Sequence, residues 1–210
     1  LTGDQPAALF AGGKQNPQTA YINIGTGAFV QRPITEMKTS DKLLTSLSYK
    51  DDTYDCYSLE GTVNGAARAL HWFAEQHAIK GIEKQVVACL TNPVTPPLFI
   101  NTISGLGSPD WQADIEPQFI GDWDIKARRL AVIESISFLI QRNLDEMEKT
   151  ITKPSDIIIS CGLSKLDGLC QQIADLSGIK LIRPQEHEAT AKGLAFLIAA
   201  LSLDWPGFKN

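Results

Sequence analysis

A turn bracketed by two glycines constrains the fold of this chain more than any other feature. Gly25-Thr26-Gly27 separates two apolar runs, residues 21–24 and 28–32, and both have the composition of short β-strands. Glycine tolerates positive φ and close backbone approach, so this turn can join two strands and can also donate hydrogen bonds to phosphate. The alternative is an ordinary hairpin turn, and no Gly-Lys-Ser/Thr follows that would make it a Walker loop. The pattern predicts a hairpin with a candidate phosphate site.

The order of the remaining patterns is typical of an α/β domain. Residues 43–49 and 54–59 resemble strands on either side of a polar turn at 50–53, which predicts an antiparallel meander. Gly178 is positioned to end a helix. Strands first, with alternating helices and strands afterwards, predict a mixed sheet flanked by helices. The later predicted elements are helices over 63–77, 127–147, 166–177 and 188–201, strands over 85–90, 157–160 and 180–182, and a loop-rich stretch over 92–119.

Charge and hydropathy argue against two classes of partner. The 210 residues carry a net charge of −5, and no basic patch is present that could neutralise a nucleic acid backbone. No apolar run approaches the ~20 residues that span a bilayer. The four cysteines are scattered without zinc-site spacing, and reduced thiols in a cytoplasmic protein are the simplest interpretation. We therefore predict no nucleic acid partner, no membrane partner and a cytoplasmic location.

Asp4 is the candidate for acid–base chemistry. It comes directly before Gln-Pro-Ala-Ala-Leu, a segment that favours a helix with proline in its first turn. In the functional interpretation, Asp4 is a general base that takes the proton from a substrate hydroxyl as that hydroxyl attacks a γ-phosphoryl group. The alternative is a helix N-cap. The two roles are compatible, because a capping carboxylate is also held in place.

Two later segments contain small residues at places where a ligand or a neighbouring helix can approach. Gly162-Leu163-Ser164 lies between an apolar strand and a helix, so a nucleotide could lie against its backbone at the helix N-terminus. The alternative is a plain strand-to-helix connection. Residues 188–195, Glu-Ala-Thr-Ala-Lys-Gly-Leu-Ala, are interpreted as a tightly packed structural helix. The three histidines show no metal-ligand spacing, so no metal site is predicted from them.

One known family has these motifs in the same order over nearly the whole chain. Gly3-Asp4-Gln5 is followed by Gly25-Thr26-Gly27 with Phe29 two residues later. The other matching motifs are Leu59-Glu60-Gly61 with His71-Trp72, the loop from Gly105 to Trp111, the segment 134–138, Cys161-Gly162-Leu163-Ser164 and the helix 188–195. Together they resemble the C-terminal half of the FGGY-type carbohydrate kinases, and within that family the glycerol kinases most.

The resemblance implies a fold and a role for each matched residue. The family has the actin/hexokinase/Hsp70 fold, in which two ribonuclease-H-like domains enclose an ATP cleft. Residues 1–210 would then be the second, nucleotide-binding domain, and Asp4 would be the catalytic base. The remaining implied contacts are Gln5 and Phe29 with the polyol, Gly25, Thr26 and Gly27 with the nucleotide phosphates, and Ala67, His71, Gly162, Leu163 and Leu166 with adenosine.

The chain departs from the family pattern mainly in the adenosine group. Ala67 replaces a usual Gly, His71 a usual Gln, and Leu166 a usual Asn. Ser160-Cys161 replaces the usual Asp-Gly. Leu166 cannot make the hydrogen bonds of an Asn, so the resemblance implies an altered adenosine pocket beside a better preserved substrate end.

The resemblance also implies partners. ATP with Mg²⁺ would be the donor and a sugar or polyol the acceptor, with an N-terminal sugar-binding domain outside this chain supplying most metal ligands. The isolated chain is expected to be inactive, and the complete protein to form a homo-oligomer. Two alternatives stay open: a non-catalytic sugar- or nucleotide-sensing relative, and an actin-like or chaperone-type ATPase.

Overall fold

A mixed six-stranded sheet with helices on both faces organises the chain. The computed structural model describes residues 4–50, 55–91, 94–184 and 189–201. The helices are α1 (Asp4–Ala7), α2 (Ala67–Gln76), α3 (Ile82–Thr91), α4 (Ile125–Glu148), α5 (Asp167–Ser177) and α6 (Ala189–Leu201). The strands are β1 (Thr19–Ile24), β2 (Ala28–Ile34), β3 (Leu44–Lys50), β4 (Asp55–Val63), β5 (Leu98–Ile100), β6 (Gln118–Ile120), β7 (Asp156–Ser160) and β8 (Lys180–Ile182).

The main sheet has the strand order β3-β4-β2-β1-β7-β8. Neighbours from β3 to β1 are antiparallel, whereas β7 is parallel to β1 and β8 is parallel to β7. This confirms the predicted mixed sheet but corrects the predicted meander, because β2 pairs with β4 and not with β3. The reason is burial: β4 is largely buried and takes the inner position, while the more exposed β3 forms the edge. Residues 51–53 of the predicted turn lie outside the described residues.

Helix α4 covers one face of the sheet and forms the centre of the core. Its residues Leu130, Ile133, Ile136, Ile140, Leu144 and Met147 recur at helical spacing and are less than 2% exposed. They pack in one cluster with the strand residues Ile22 and Leu59. Asp124 caps the helix by accepting a hydrogen bond from the Ala127 N–H at 2.8 Å. The helix therefore begins at Ile125, two residues before the predicted start.

The segment around residues 85–90 is helical, so the strand predicted there is wrong. Ile82, Val86 and Cys89 are buried, whereas Val87 is exposed. This spacing places the buried side chains on one stripe of α3, facing the core. The exposed Val87 and the half-buried Leu90 lie outside this stripe but are also apolar. They hide the helical spacing, so the run resembles a buried strand.

Helix α2 starts later than predicted, since residues 59–63 continue β4. Thr62 and Val63 pair with Phe29 and Ala28 of β2. In the stretch 94–119, predicted to be a loop, β5 and the start of β6 form a small antiparallel sheet. No helix in the described ranges is long and apolar enough to cross a bilayer.

The opposite face of the sheet is covered by α1, the 3-10 helix Ala8–Phe10 and α6. Leu9 and Phe10 form a second small core with Phe196 and Leu197 of α6. Gly193 is buried where α6 crosses the backbone of Ala7 and Ala11. The structural interpretation of the small residues in this helix is therefore confirmed at Gly193, while Glu188 lies outside the described residues.

Candidate functional site

The Gly-Thr-Gly turn is fastened to the start of helix α2. The N–H of Gly25 donates to the carbonyl of Gly27 at 2.8 Å, which closes the turn between β1 and β2. The N–H groups of Ala67 and Arg68 donate to the carbonyls of Gly25 and Thr26 at 3.2 and 3.0 Å. First-turn N–H groups of a helix have no partner within the helix, so the turn acts as its cap. Thr26 remains exposed at the apex.

The two glycines of this turn differ in the space that surrounds them. A Cβ at Gly27 would lie 2.7 Å from the carbonyl oxygen of Val63, whereas a Cβ at Gly25 would meet nothing within 4 Å. Neither residue has a positive φ, so the turn does not use the left-handed conformations that glycine tolerates. The expected close approach is found at Gly27, where the neighbour is the backbone of β4.

A cavity of about 330 Å³ lies between α2, α3 and the connection from β7 to α5. Five residues that the family resemblance assigns to adenosine contact line it together: Ala67, His71, Gly162, Leu163 and Leu166. The volume falls within the range of small-molecule pockets. The structure therefore brings together residues that are about 100 positions apart in the chain.

Helix α3 forms a wall of this cavity that the sequence prediction missed. Ile82, Val86 and Val87 contribute apolar surface, and Glu83 and Lys84 lie on the same helix. They were missed because a strand was predicted over residues 85–90. The helical spacing of Ile82, Val86 and Cys89 is the signal that could have identified them.

The cavity combines an apolar interior with charged side chains at its edge. Leu70 completes the apolar lining, and Lys165 adds a second lysine to Lys84. Both lysines, His71 and Glu83 are exposed, which places their polar groups near solvent. Among the described lining residues Glu83 is the one acid, although the whole chain is acidic. Such a cavity suits a ligand with a flat apolar body and an anionic end.

The connection after β7 is strained at Cys161. Its φ of 71° and ψ of −171° lie in a region that essentially only glycine populates. The hydroxyl of Ser164 donates to the Cys161 carbonyl, and a 3-10 helix follows over Gly162–Lys165. The structure thus gives a physical reason why a glycine at position 161 would suit this connection.

Replacement of Cys161 by Gly is expected to stabilise the fold by about 1 kcal/mol. Glycine removes the Cβ clash, and its larger freedom in the unfolded chain offsets part of the gain. The free energy of unfolding is measured by urea denaturation of the wild type, Cys161→Gly and Cys161→Ala. The alanine variant loses the thiol but keeps the strain, so an equal gain in both variants would contradict the explanation.

Leu166 occupies the N-cap position of α5 without a side-chain cap. Its backbone N–H donates to the Leu163 carbonyl at 3.1 Å, and its half-buried side chain packs against the core. The position therefore faces the cavity, the core and the first turn of the helix. An amide side chain there could cap α5 and offer hydrogen bonds to a ligand.

The structure describes only part of the predicted acceptor-binding region, which consists of Asp4, Gln5 and Phe29. Phe29 is half-buried on β2, opposite Asn23 and Thr62. Alternation along the strand places it on the same face as Gln31, which lines a cavity of about 80 Å³ beneath the Ala8–Phe10 helix. Helix α1 begins at Asp4, and the side chains of Asp4 and Gln5 lie outside the described part of the structure.

Comparison with known proteins gives consistent matches. The C-terminal domain of the FGGY family of carbohydrate kinases matches residues 20–202. The chain is 30% identical over 205 residues to the glycerol kinase of Rippkaea orientalis and 31% identical over 210 residues to that of Shewanella frigidimarina. These alignments cover 93% and 94% of this chain and 41% of each relative. The chain thus spans about two-fifths of the length of these curated relatives.

Solved structures match the fold. Glycerol kinase of Plasmodium falciparum with ADP gives a TM-score of 0.80 at 24% identity, covering 97% of this chain and 42% of that one. Ligand-bound xylulose kinase from Lactobacillus acidophilus gives 0.77 at 20% identity, covering 94% and 41%. The likeness confirms the predicted ribonuclease-H-like fold.

Proposed function

Since this chain belongs to the FGGY family of carbohydrate kinases, we propose that it is the nucleotide-binding domain of an ATP-dependent sugar or polyol kinase. Glycerol is the leading candidate for the acceptor, because the curated relatives at about 30% identity are glycerol kinases. The observation that carries the proposal is the cavity that gathers Ala67, His71, Gly162, Leu163 and Leu166 beside the Gly-Thr-Gly turn.

In this proposal the cavity binds the nucleoside and the Gly-Thr-Gly turn binds the phosphates. The apolar walls of α2 and α3 contact the nucleoside, and the 3-10 helix Gly162–Lys165 offers its backbone to the ribose side. The phosphates extend towards Thr26, whose turn is held in place by α2. Phosphoryl transfer depends mainly on positioning and on neutralising charge, and a turn fixed at both ends provides positioning.

Asp4 acts on the acceptor in this proposal. Its carboxylate takes the proton of the attacking hydroxyl, and Gln5 and Phe29 contact the carbons and hydroxyls of the polyol. Phe29 lies two residues beyond the turn on β2, so acceptor and phosphates meet at one end of the same strand. Closure of the second domain then excludes water, which competes as an acceptor.

Magnesium neutralises phosphate charge in this reaction class. Within the described ranges, no three acidic, histidine or cysteine side chains form a group that could hold a metal ion. We propose that the metal ligands come mainly from the domain outside this chain.

The chain requires further partners in this proposal. An N-terminal domain supplies most contacts to the acceptor, which agrees with the 41% coverage of the relatives. We place the protein in the cytoplasm, where thiols such as those of Cys89 and Cys170 stay reduced. The complete kinase is proposed to form a homo-oligomer.

The experiment that tests the function is a phosphorylation assay on the intact protein that carries this chain. Glycerol, erythritol, xylulose, ribulose and gluconate are offered with ATP, and ADP release is measured. Turnover on one of them supports the kinase. A folded protein that binds a sugar or nucleotide but turns over none of them supports the second candidate, a non-catalytic sensor, which the altered residues Cys161 and Leu166 favour.

Replacement of Leu166 by Asn is expected to raise the affinity for ADP about tenfold, because an amide adds one or two hydrogen bonds to the ligand. Calorimetric titration with ADP measures the change. Leu166→Ala is the matched control, since it removes the same apolar contacts without adding a polar group. Equal affinity in the Asn and Ala variants would show that the amide makes no hydrogen bond to the nucleotide.

A further inference from the structure

Arg68 is an exposed cation at the start of α2, directly beside the Gly-Thr-Gly turn. Its backbone N–H donates to the Thr26 carbonyl at 3.0 Å, so residue 68 adjoins the apex of the turn. Its side chain is exposed, and in the part of the chain that the structure describes it makes no hydrogen bond or ion pair. Arg68 belongs to none of the motifs singled out in the sequence.

The position of Arg68 is electrostatically unfavourable for the folded chain alone. The N-terminus of a helix carries partial positive charge, which repels a cation in the first turn. Residues 61–74 contain no Asp or Glu that could compensate along the same segment. An anion bound in front of the turn would reverse the sign of this interaction. The placement of the arginine therefore fits a site that is occupied by an anionic ligand.

Helix geometry directs the Arg68 side chain towards the turn rather than into the cavity. The Cα–Cβ bonds of a helix tilt towards its N-terminus, and long side chains extend that way. Ala67 and His71 line the cavity, whereas Arg68 is rotated about 100° from Ala67 around the helix axis and does not line it. The guanidinium can thus reach the space before Thr26 without competing with the nucleoside.

We propose that Arg68 binds the terminal phosphates of the nucleotide held at the turn. This inference rests on the proposed function and adds a cation to it from the chain's own residues. A guanidinium offers a planar pair of N–H donors that match phosphate oxygens and remains charged at every relevant pH. In this role Arg68 stabilises the charge that the phosphates bring to the exposed end of the site.

The test compares ligands with and without phosphates on the intact protein. Kd values are measured for ADP and for adenosine at two salt concentrations. Arg68→Gln is expected to weaken ADP binding about tenfold, to leave adenosine binding unchanged and to reduce the salt dependence of ADP affinity. Arg68→Lys should retain part of the affinity. Lys80→Ala is the matched control, because Lys80 is an exposed cation that follows the far end of α2.

The outcomes separate this inference from the proposed function. If the wild type binds ADP and Arg68→Gln binds it equally well, Arg68 is a surface residue and only this inference fails. Equal losses for ADP and adenosine would also overturn it, since they would indicate damage to α2. If the wild type binds neither ligand, the proposed function and this inference both fail. Circular dichroism establishes that each variant is folded before binding is compared.

Discussion

Replacing Asp4 by Asn is expected to lower kcat of the intact protein in the proposed reaction about 1,000-fold. An amide has nearly the same shape as the carboxylate but cannot accept the proton of the attacking hydroxyl. Because the substitution keeps the size of the side chain, α1 should begin at the same residue. The KM values for nucleotide and acceptor should therefore change little.

Steady-state kinetics and thermal unfolding of the Asp4→Asn variant test this expectation, because they give kcat, KM and the unfolding temperature. A large loss of kcat with unchanged KM and unchanged unfolding temperature assigns the base to Asp4. A kcat within fivefold of the wild type would contradict the assignment of the base to Asp4. Loss of the folded state would show that the residue acts on stability.

Replacing Gly193 by Ala is expected to destabilise the fold by about 3 kcal/mol. A Cβ at this position would overlap the carbonyl oxygen of Ala7, a backbone atom that no side-chain rotation can move away. Helix α6 would have to shift away from α1 and the Ala8–Phe10 helix. Because Ala7 lies three residues after Asp4, the shift also displaces the predicted base.

Urea unfolding measures the loss of stability in the Gly193→Ala variant. The matched control is Gly12→Ala, because a Cβ at Gly12 would meet nothing within 4 Å. The free energy of unfolding of this control should stay within about 0.5 kcal/mol of the wild-type value. Residual activity of the folded Gly193→Ala protein should fall more than its ADP affinity. Equal stability of the two variants would contradict the packing of α6 described above.

The parts of the fold that local sequence determines were predictable. Two apolar runs around Gly25-Thr26-Gly27 predicted the hairpin, and the regular spacing of large aliphatic residues predicted α4. Strand order was not predictable in this way, because it depends on burial at long range. β4 takes the inner place next to β2, and a sequence pattern that resembles four consecutive strands does not contain that information.

The candidate site was predictable only where a motif marks it. The turn, α2 and the residues after β7 were identified, and the structure places Ala67, His71, Gly162, Leu163 and Leu166 around one cavity. The wall formed by α3 was missed, since six consecutive residues rich in apolar side chains fit a buried strand as well as a helix. Arg68 was missed because a single charged residue gives no sequence signal, and only its bond to Thr26 shows its proximity to the turn.

The central claim is that the cavity between α2, α3 and the 3-10 helix Gly162–Lys165 holds the nucleoside. Photo-crosslinking of the intact protein with 8-azido-ADP, followed by peptide mapping, tests it most directly. We expect labelled peptides from residues 67–71, 82–87 or 162–166, with labelling suppressed by excess ADP. Labelling confined to other parts of the chain, or labelling that ADP does not suppress, would contradict the claim.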